Sequence, residues 1–246
     1  MKNSEETIQV FWTGGLDSTF TLIRLLHTTT QQVQPHYLVG SEDSTGNEID
    51  TMVRIRRALV KQYPELQSRF LHTILTNQLL IPEFEDVKEE LEELRKTGKV
   101  AEQYETMANY CKAYKVDKIE VSLTSITGEK DSFDHFKNAA AFKSFTYPTI
   151  GLSKRDMFRI ARENNWDDTL NMTSFCRRPR KKVKACGVCG PCVDAVMSGM
   201  GHRLPLGSRL KANIQIPFRN YYRKNYLKHD KSKFFIWVTE KFEGKF

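Results

Sequence analysis

Apolar runs and amphipathic segments alternate along the first two thirds of the chain. The run TIQVFW predicts a buried strand, and the segment STFTLIRLLHTT that follows carries Phe20, Ile23 and Leu26 at helical spacing. Further strands are predicted at 35–40, 69–75 and 118–125, and further helices at 48–66, 133–145 and 153–166. This alternation is typical of an α/β fold with a parallel sheet and right-handed crossovers.

Three other segments add to this pattern. Residues 82–114 predict two helices that break near Gly98, and the acidic side chains of the first are interpreted as a solvated face. Residues 146–153 predict an irregular strand region, with Ser153 as the N-cap of the helix that follows. Residues 203–246 mix aromatic and basic side chains without a clear period.

A glycine turn with the sequence TGGLDS joins the first strand to the first helix. Gly14 and Gly15 let the backbone approach an anion closely, and Thr13 and Ser18 add hydroxyl donors at a helix N-terminus. Asp17 alone would repel phosphate, so its presence indicates a bridging Mg²⁺. The turn contains neither GxxxxGK[ST] nor GxGxxG, and a purely structural tight turn is the alternative.

The formal net charge is +8, and the segment CRRPRKKVK holds six basic residues in nine positions. Such density favours an anionic partner such as a nucleotide, RNA or an acidic peptide, or else forms a solvated basic loop. The chain has no run of about 18 apolar residues and no secretory signal, so we expect a cytoplasmic protein without a membrane segment.

Four of the five cysteines form a C-x9-C-x2-C-x2-C pattern: Cys176, Cys186, Cys189 and Cys192. Four thiolates within so short a segment predict a closed, structural zinc site, with an iron–sulfur cluster as the chemical alternative. Cys111 lies in a helical pattern and is interpreted as a core residue.

The stretch TGGLDS resembles the SGGxDS pyrophosphate loop of the ATP pyrophosphatase family, with Thr13 at the usual serine position. Together with TYPTIGLSKRDMFRIARENNW, TSFC and CGVCGPC, it makes residues 8–196 resemble the 7-cyano-7-deazaguanine synthase family. The resemblance implies an adenine nucleotide α-hydrolase-like domain at 1–170, a four-cysteine zinc region at 171–200 and a basic aromatic extension at 201–246.

The same resemblance implies which residues act. ATP and Mg²⁺ would be bound by the loop, and Asp17, Ser18 and Lys154 would take part in catalysis. The implied ATP-binding residues are Thr13, Gly14, Gly15, Leu16, Asp17, Ser18 and Thr19. In the family, 7-carboxy-7-deazaguanine is adenylated, ammonia displaces AMP to give an amide, and a second adenylation gives the nitrile. The family also suggests a homodimer.

Three family motifs are replaced in this chain. YLVGSEDSTGNE stands where the family has DYGQ-x-H, GKVAEQYETMANY lacks its arginine and asparagine, and EKDSFDHF is closest to its YPDCR. These changes leave the amine acceptor open. Asp131, Asp134 and His135 either contact substrate or cap a helix. Divergent relatives in antiphage defence suggest transfer to a protein amine.

A basic aromatic segment near the C-terminus fits a macromolecular partner; it contains Arg219, Tyr221, Tyr222, Arg223, Lys224 and Tyr226. Two alternatives from other classes stay open. One is a tRNA-modifying enzyme with the same loop, because interleaved aromatic and basic side chains suit single-stranded RNA. The other is a non-catalytic nucleotide-binding subunit.

Overall fold

The computed structural model of the protein describes residues 7–40, 44–97, 100–123, 139–179 and 184–226. The chain forms two compact units, residues 1–175 and 176–246. The three-part division expected from the sequence stays a prediction. None of the helices within the described ranges is long and apolar enough to cross a membrane.

The first unit contains a sheet whose strands are β1 Ile8–Phe11, β2 Val33–Val39, β3 Ile74–Asn77, β4 Ile119–Glu120 and β5 Phe145–Thr146. Its helices are α1 Leu16–Thr28, α2 Thr45–Gln62, α3 Glu85–Thr97, α4 Glu102–Tyr114, α5 Lys154–Glu163 and α6 Asp167–Asn171. The second unit contains α7 Gly190–Met197 and α8 Leu206–Tyr226.

All strand pairs are parallel, in the order β3-β2-β1-β4-β5. This confirms the predicted α/β class with a parallel sheet, and the order is compatible with a Rossmann-like fold. The chain adds β2 and β3 on one side of β1 and then crosses to add β4 on the other. The loop after β1 therefore lies at the switch point of the sheet, where ligands bind in open α/β folds.

Each face of the sheet has its own hydrophobic core. Val10 and Trp12 point to a core that contains the buried faces of α1, α2 and α5, whereas Phe11 points to a core that includes residues of α3 and α4. Because successive strand residues face opposite sides, a strand covered on both faces is apolar at nearly every position. That accounts for the apolar residues Ile8, Val10 and Phe11 in β1, whereas the Gln9 side chain lies beside the buried His36.

The third strand begins later than predicted, because the chain leaves the sheet between two contacts with β2. Phe70 forms an isolated bridge with Val33, and the Leu71 N–H donates to the Val33 carbonyl at 3.0 Å. Pairing resumes at Ile74 opposite His36. Pro35 lies between these two contacts on β2 and has no N–H to donate, so the ladder is interrupted there.

The helix predicted for 133–145 is wrong in its described part. Residues 139–146 form a short 3-10 turn, Ala140–Phe142, and then β5. The Glu90 carboxylate accepts the N–H groups of Ala140 and Ala141, both at 2.6 Å. These tertiary contacts outweigh local helix propensity. Asp131, Asp134 and His135 lie outside the described residues.

Residues 206–226 of the segment that lacked a clear period form α8. Its exposed large side chains are Leu206, Leu210, Ile214 and Phe218, whereas Ala212 is buried. These four residues recur every four positions, which is helical spacing that the sequence interpretation missed. The side chains of residues 220–226 lie outside the described part, and Arg219 is discussed below.

His36 on β2 is a buried histidine between two polar partners. Its Nδ1 lies 2.7 Å from the Tyr110 hydroxyl and its Nε2 lies 2.5 Å from Gln9 Oε1. Burial lowers the pKa of His36 to about 4 from its ordinary value of 6.5. The folded state therefore favours neutral imidazole, and this contribution to stability is complete above pH 6.5 and lost as the pH falls toward about 4.

We expect this linkage to remove about 3 kcal/mol from the free energy of unfolding between pH 7 and pH 4. Urea unfolding of the wild type and of His36→Gln across that range measures it. Acid would also displace metal from the cysteine cluster of both proteins, so the difference between the two pH profiles isolates the histidine. Parallel profiles would contradict the expectation.

Candidate anion-binding loop and metal centre

Gly14 is the residue that shapes the loop between β1 and α1. Its φ is +71°, a region that residues with a side chain rarely adopt. A Cβ at this position would lie 3.2 Å from both the Glu48 carbonyl oxygen and Met52 Cγ on α2. A larger residue would therefore strain the backbone and crowd α2.

The first turn of α1 has no side-chain cap. Gly15 is the N-cap residue and is extended, at φ −73° and ψ 166°. The amides of a helix N-terminus carry partial positive charge and need acceptors. Without a capping side chain, this helix end presents its donors to solvent or to an anion.

Hydroxyl groups hold the loop in its conformation. Ser18 Oγ accepts from the Thr13 N–H at 3.3 Å and lies 3.3 Å from Thr13 Oγ1. The Gly15 N–H donates to Thr13 Oγ1, also at 3.3 Å. Thr13 is exposed and Ser18 is buried, so a ligand above the loop reaches the threonine hydroxyl more readily.

Two residues of the predicted binding set belong to the core. Leu16 is buried, and Thr19 is fully buried with its hydroxyl accepting from Trp12 Nε1 at 3.0 Å. Only the backbone of Leu16 remains as a donor to a ligand. The Thr19 side chain instead fixes the strand to the first turn of α1.

Lys154 and Asp17 are brought together although they are far apart in the sequence. The Lys154 Nζ lies 3.8 Å from Asp17 Oδ2, with the side chains 40% and 28% exposed. Lys154 is the first residue of α5, and Ser153 is the N-cap of this helix. Ser153 Oγ accepts from the Asp156 N–H at 3.2 Å, and Asp156 Oδ2 accepts from the Ser153 N–H at 3.0 Å. This capping box, which confirms the predicted N-cap, fixes the start of α5 and hence the position of Lys154.

Ser174 contacts the loop between β1 and α1, and the sequence interpretation missed this residue. The Ser174 N–H donates to the Gly14 carbonyl at 2.9 Å, and its Oγ accepts from Asn47 Nδ2 at 2.8 Å. Ser174 belongs to the TSFC stretch, which the sequence analysis uses only as part of the family resemblance. The contacts of Ser174 with the loop are tertiary, so the spacing of residues in the sequence could not predict them.

The second unit contains the candidate metal centre. The Sγ atoms of Cys176, Cys186, Cys189 and Cys192 all lie within 4.8 Å of one another. The Sγ atoms of Cys189 and Cys192 are 3.3 Å apart, and those of Cys186 and Cys192 are 3.9 Å apart. Tetrahedral zinc with Zn–S bonds of 2.3 Å requires sulfur pairs about 3.8 Å apart. The four cysteines can therefore hold a metal ion such as zinc.

Backbone amides support the thiolates. The N–H groups of Val188 and Cys189 donate to Cys186 Sγ at 3.4 and 3.3 Å, and the Cys186 N–H donates to Cys176 Sγ at 3.2 Å. Hydrogen bonds from Cys176 and the other two thiols lower the pKa of Cys186, and those from Cys176 and Cys192 lower the pKa of Cys189 to about 6. The same cluster raises the pKa of Cys176 and Cys192. A bound cation would offset the crowding of four such groups.

The metal loop is packed against α8. Gly187 has φ +79°, and a Cβ there would lie 2.2 Å from the Ser208 carbonyl oxygen, so no side chain fits. Arg219 donates to the Gly190 carbonyl at 3.0 Å and to Asp194 Oδ2 at 2.9 Å. Arg219 thus serves an internal contact, although the sequence placed it in a partner-binding segment.

Cys111 is not a member of this cluster and lies in the core that contains Phe11. Burial raises the pKa of its thiol to about 12, which keeps it protonated and unreactive. Its position agrees with the predicted core role.

The chain was compared with known proteins after the sites had been located. The sequence matches no protein-family model and none of the curated proteins. The interpretation of the loop and of the metal centre therefore depends on the geometry described above.

Proposed function

We propose that the protein is an ATP-dependent ligase that adenylates the carboxylate of 7-carboxy-7-deazaguanine and transfers the activated acyl group to an amine. The observation that carries the proposal is the uncapped start of α1 beside the pair formed by Asp17 and Lys154. This arrangement combines anion donors, a carboxylate and an ammonium group at the switch point of the sheet.

Each group has a definite role in that reaction. The amides that follow Gly15 would hold the pyrophosphate leaving group of ATP, with the Thr13 hydroxyl as a further donor. The Asp17 carboxylate is an oxygen ligand of the kind that Mg²⁺ prefers, and bound Mg²⁺ would neutralise charge on the phosphates. Lys154 would stabilise the charge that develops when the substrate carboxylate attacks the α-phosphorus.

Adenylation makes the subsequent transfer possible because AMP is a better leaving group than oxide. The carbonyl carbon of the acyl adenylate is attacked by the amine nitrogen, the bond to the AMP oxygen breaks, and the amine loses a proton. With ammonia the product is an amide, and a second adenylation gives the nitrile. With a protein amine the product is a conjugate. The metal centre would be structural, because four cysteine ligands leave no open position.

Mass spectrometry of the products tests the proposal. The zinc-loaded protein is incubated with ATP, Mg²⁺ and 7-carboxy-7-deazaguanine, with and without ammonia, and with candidate protein and tRNA acceptors. AMP together with amide, nitrile or a mass increment on a protein supports the proposal and identifies the acceptor. A mass increment on tRNA moves the protein to the RNA-modifying class, and absence of AMP under all conditions overturns the proposal.

A further inference from the structure

A half-open cavity of about 630 Å³ lies in the first unit, between α3, α4 and the chain that follows β3. Ile81 and Val100 line it with buried apolar side chains, and Asn109 adds a buried amide. Two exposed carboxylates, Glu83 and Glu102, also line it. A cavity of this size accommodates a small organic molecule.

Asn109 provides a hydrogen-bond donor that none of the described residues uses. The side chain is only 4% exposed, and its Oδ1 accepts from the Phe84 N–H at 3.2 Å. That bond assigns the oxygen and the nitrogen of the amide. Among the described residues none accepts a hydrogen bond from Asn109 Nδ2. Because Asn109 lines the cavity, this donor is available to an acceptor atom of a molecule bound there.

The carboxylates of the cavity differ in their availability. Glu105 is committed to Arg95, whose Nη2 lies 2.7 Å from Glu105 Oε2. Glu83 and Glu102 neither accept a hydrogen bond nor form an ion pair with any residue in the described ranges. The cavity therefore offers one buried donor and two carboxylate acceptors, with aliphatic side chains to contact a ring.

We propose, building on the proposed function, that this cavity holds the pyrimidine edge of the deazaguanine ring. A guanine-type edge carries one acceptor, the 6-oxo group, beside two donors, N1–H and the 2-amino group. Asn109 Nδ2 donates to the oxo group, Glu83 or Glu102 accepts from the two donors, and Ile81 and Val100 contact the ring. An adenine-type edge is a poor fit, because its amino group is a donor that would face the Asn109 donor and because it has no N1–H for a carboxylate to accept.

The position of α4 connects this cavity to the loop. Tyr104 lies on α4 between Glu102 and Glu105, and its pKa is raised mainly by burial and in smaller part by the negative charge of Asp17. Gln78 also lines the cavity and directly follows β3, so the cavity lies at the carboxyl edge of the parallel sheet, as does the loop after β1. The negative charges of Glu83 and Glu102 repel a carboxylate, so the 7-carboxylate of the bound ring stays outside the cavity.

Binding of three bases in the absence of ATP tests the inference. Isothermal titration of the zinc-loaded protein is expected to show binding of 7-deazaguanine, at least 10-fold weaker binding of 7-deazahypoxanthine, which lacks the 2-amino group, and no binding of 7-deazaadenine. Asn109→Asp keeps the acceptor for the Phe84 N–H but replaces the donor, and is expected to weaken 7-deazaguanine at least 10-fold. The double variant Glu83→Gln/Glu102→Gln is expected to do the same.

Glu89→Gln is the matched control, because Glu89 is an exposed carboxylate on α3 outside the cavity lining. It is expected to leave binding unchanged. Equal affinity for the three bases, or unchanged affinity in both cavity variants, would overturn the inference. The readout is independent of the proposed reaction. If the bases bind selectively but no AMP forms, the inference about the cavity stands and the proposed ligase activity is wrong. If AMP forms and the cavity variants keep the wild-type KM, the ligase activity stands and the inference about the cavity is wrong.

Discussion

Asp17→Asn is expected to lower the initial rate of AMP formation about 100-fold or more. The change keeps the shape of the side chain but removes the charge that would hold Mg²⁺ against the phosphates. The fold should survive, because the ion pair with Lys154 spans 3.8 Å between partly exposed groups. Such pairs contribute at most about 1 kcal/mol to stability. The measurement is AMP release with ATP, Mg²⁺ and 7-carboxy-7-deazaguanine.

Asp50→Asn is the matched control for this prediction. Asp50 also pairs with a basic residue, since its Oδ2 lies 3.0 Å from Arg54 Nε, but it lies on the exposed surface of α2. The control should keep the wild-type rate and the wild-type melting temperature. An Asp17→Asn enzyme that is folded and as fast as the wild type would remove Asp17 from catalysis, and the loop would then be a structural turn.

The second large effect is expected on removal of metal from the cysteine cluster. Apart from alanines and cysteines, the buried apolar side chains of the second unit within the described residues are Val193, Met200 and Leu204. So small a core cannot supply much folding free energy, whereas a four-cysteine zinc site supplies on the order of 10 kcal/mol. Chelation should therefore unfold this unit.

Hydrogen exchange and metal analysis test this together. The wild type should contain one zinc per chain, and Cys186→Ser should lose the metal and the amide protection of α7 and α8. Cys111→Ala, which changes a buried cysteine outside the cluster, should keep both. If metal analysis finds iron and the protein shows visible charge-transfer absorption, the cluster holds an iron–sulfur group and not zinc. Full protection of α7 and α8 in the chelated protein would show that the metal does not stabilise this unit.

The features predicted correctly from sequence are those that depend on neighbouring residues. The strand, glycine turn and helix around Gly14 follow from periodicity and from a backbone that must adopt positive φ. The start of α5 follows from a capping box that spans only Ser153 to Asp156. The cysteine cluster follows from spacing, because three of its four ligands lie within a single turn-rich segment. In all three cases the determining interactions are local.

Contacts between distant segments decided the rest. Ser174 contacts Asn47 from 127 positions away, and Lys154 meets Asp17 only because α1 and α5 pack on the same face of the sheet. The cavity with the Asn109 amide likewise exists only after α3, α4 and the chain after β3 have packed together. The sequence by itself determines whether each segment tends to form a helix, a strand or a turn. Which side chains converge on a site is decided by burial of the two cores, since that free energy is gained only when remote segments pack.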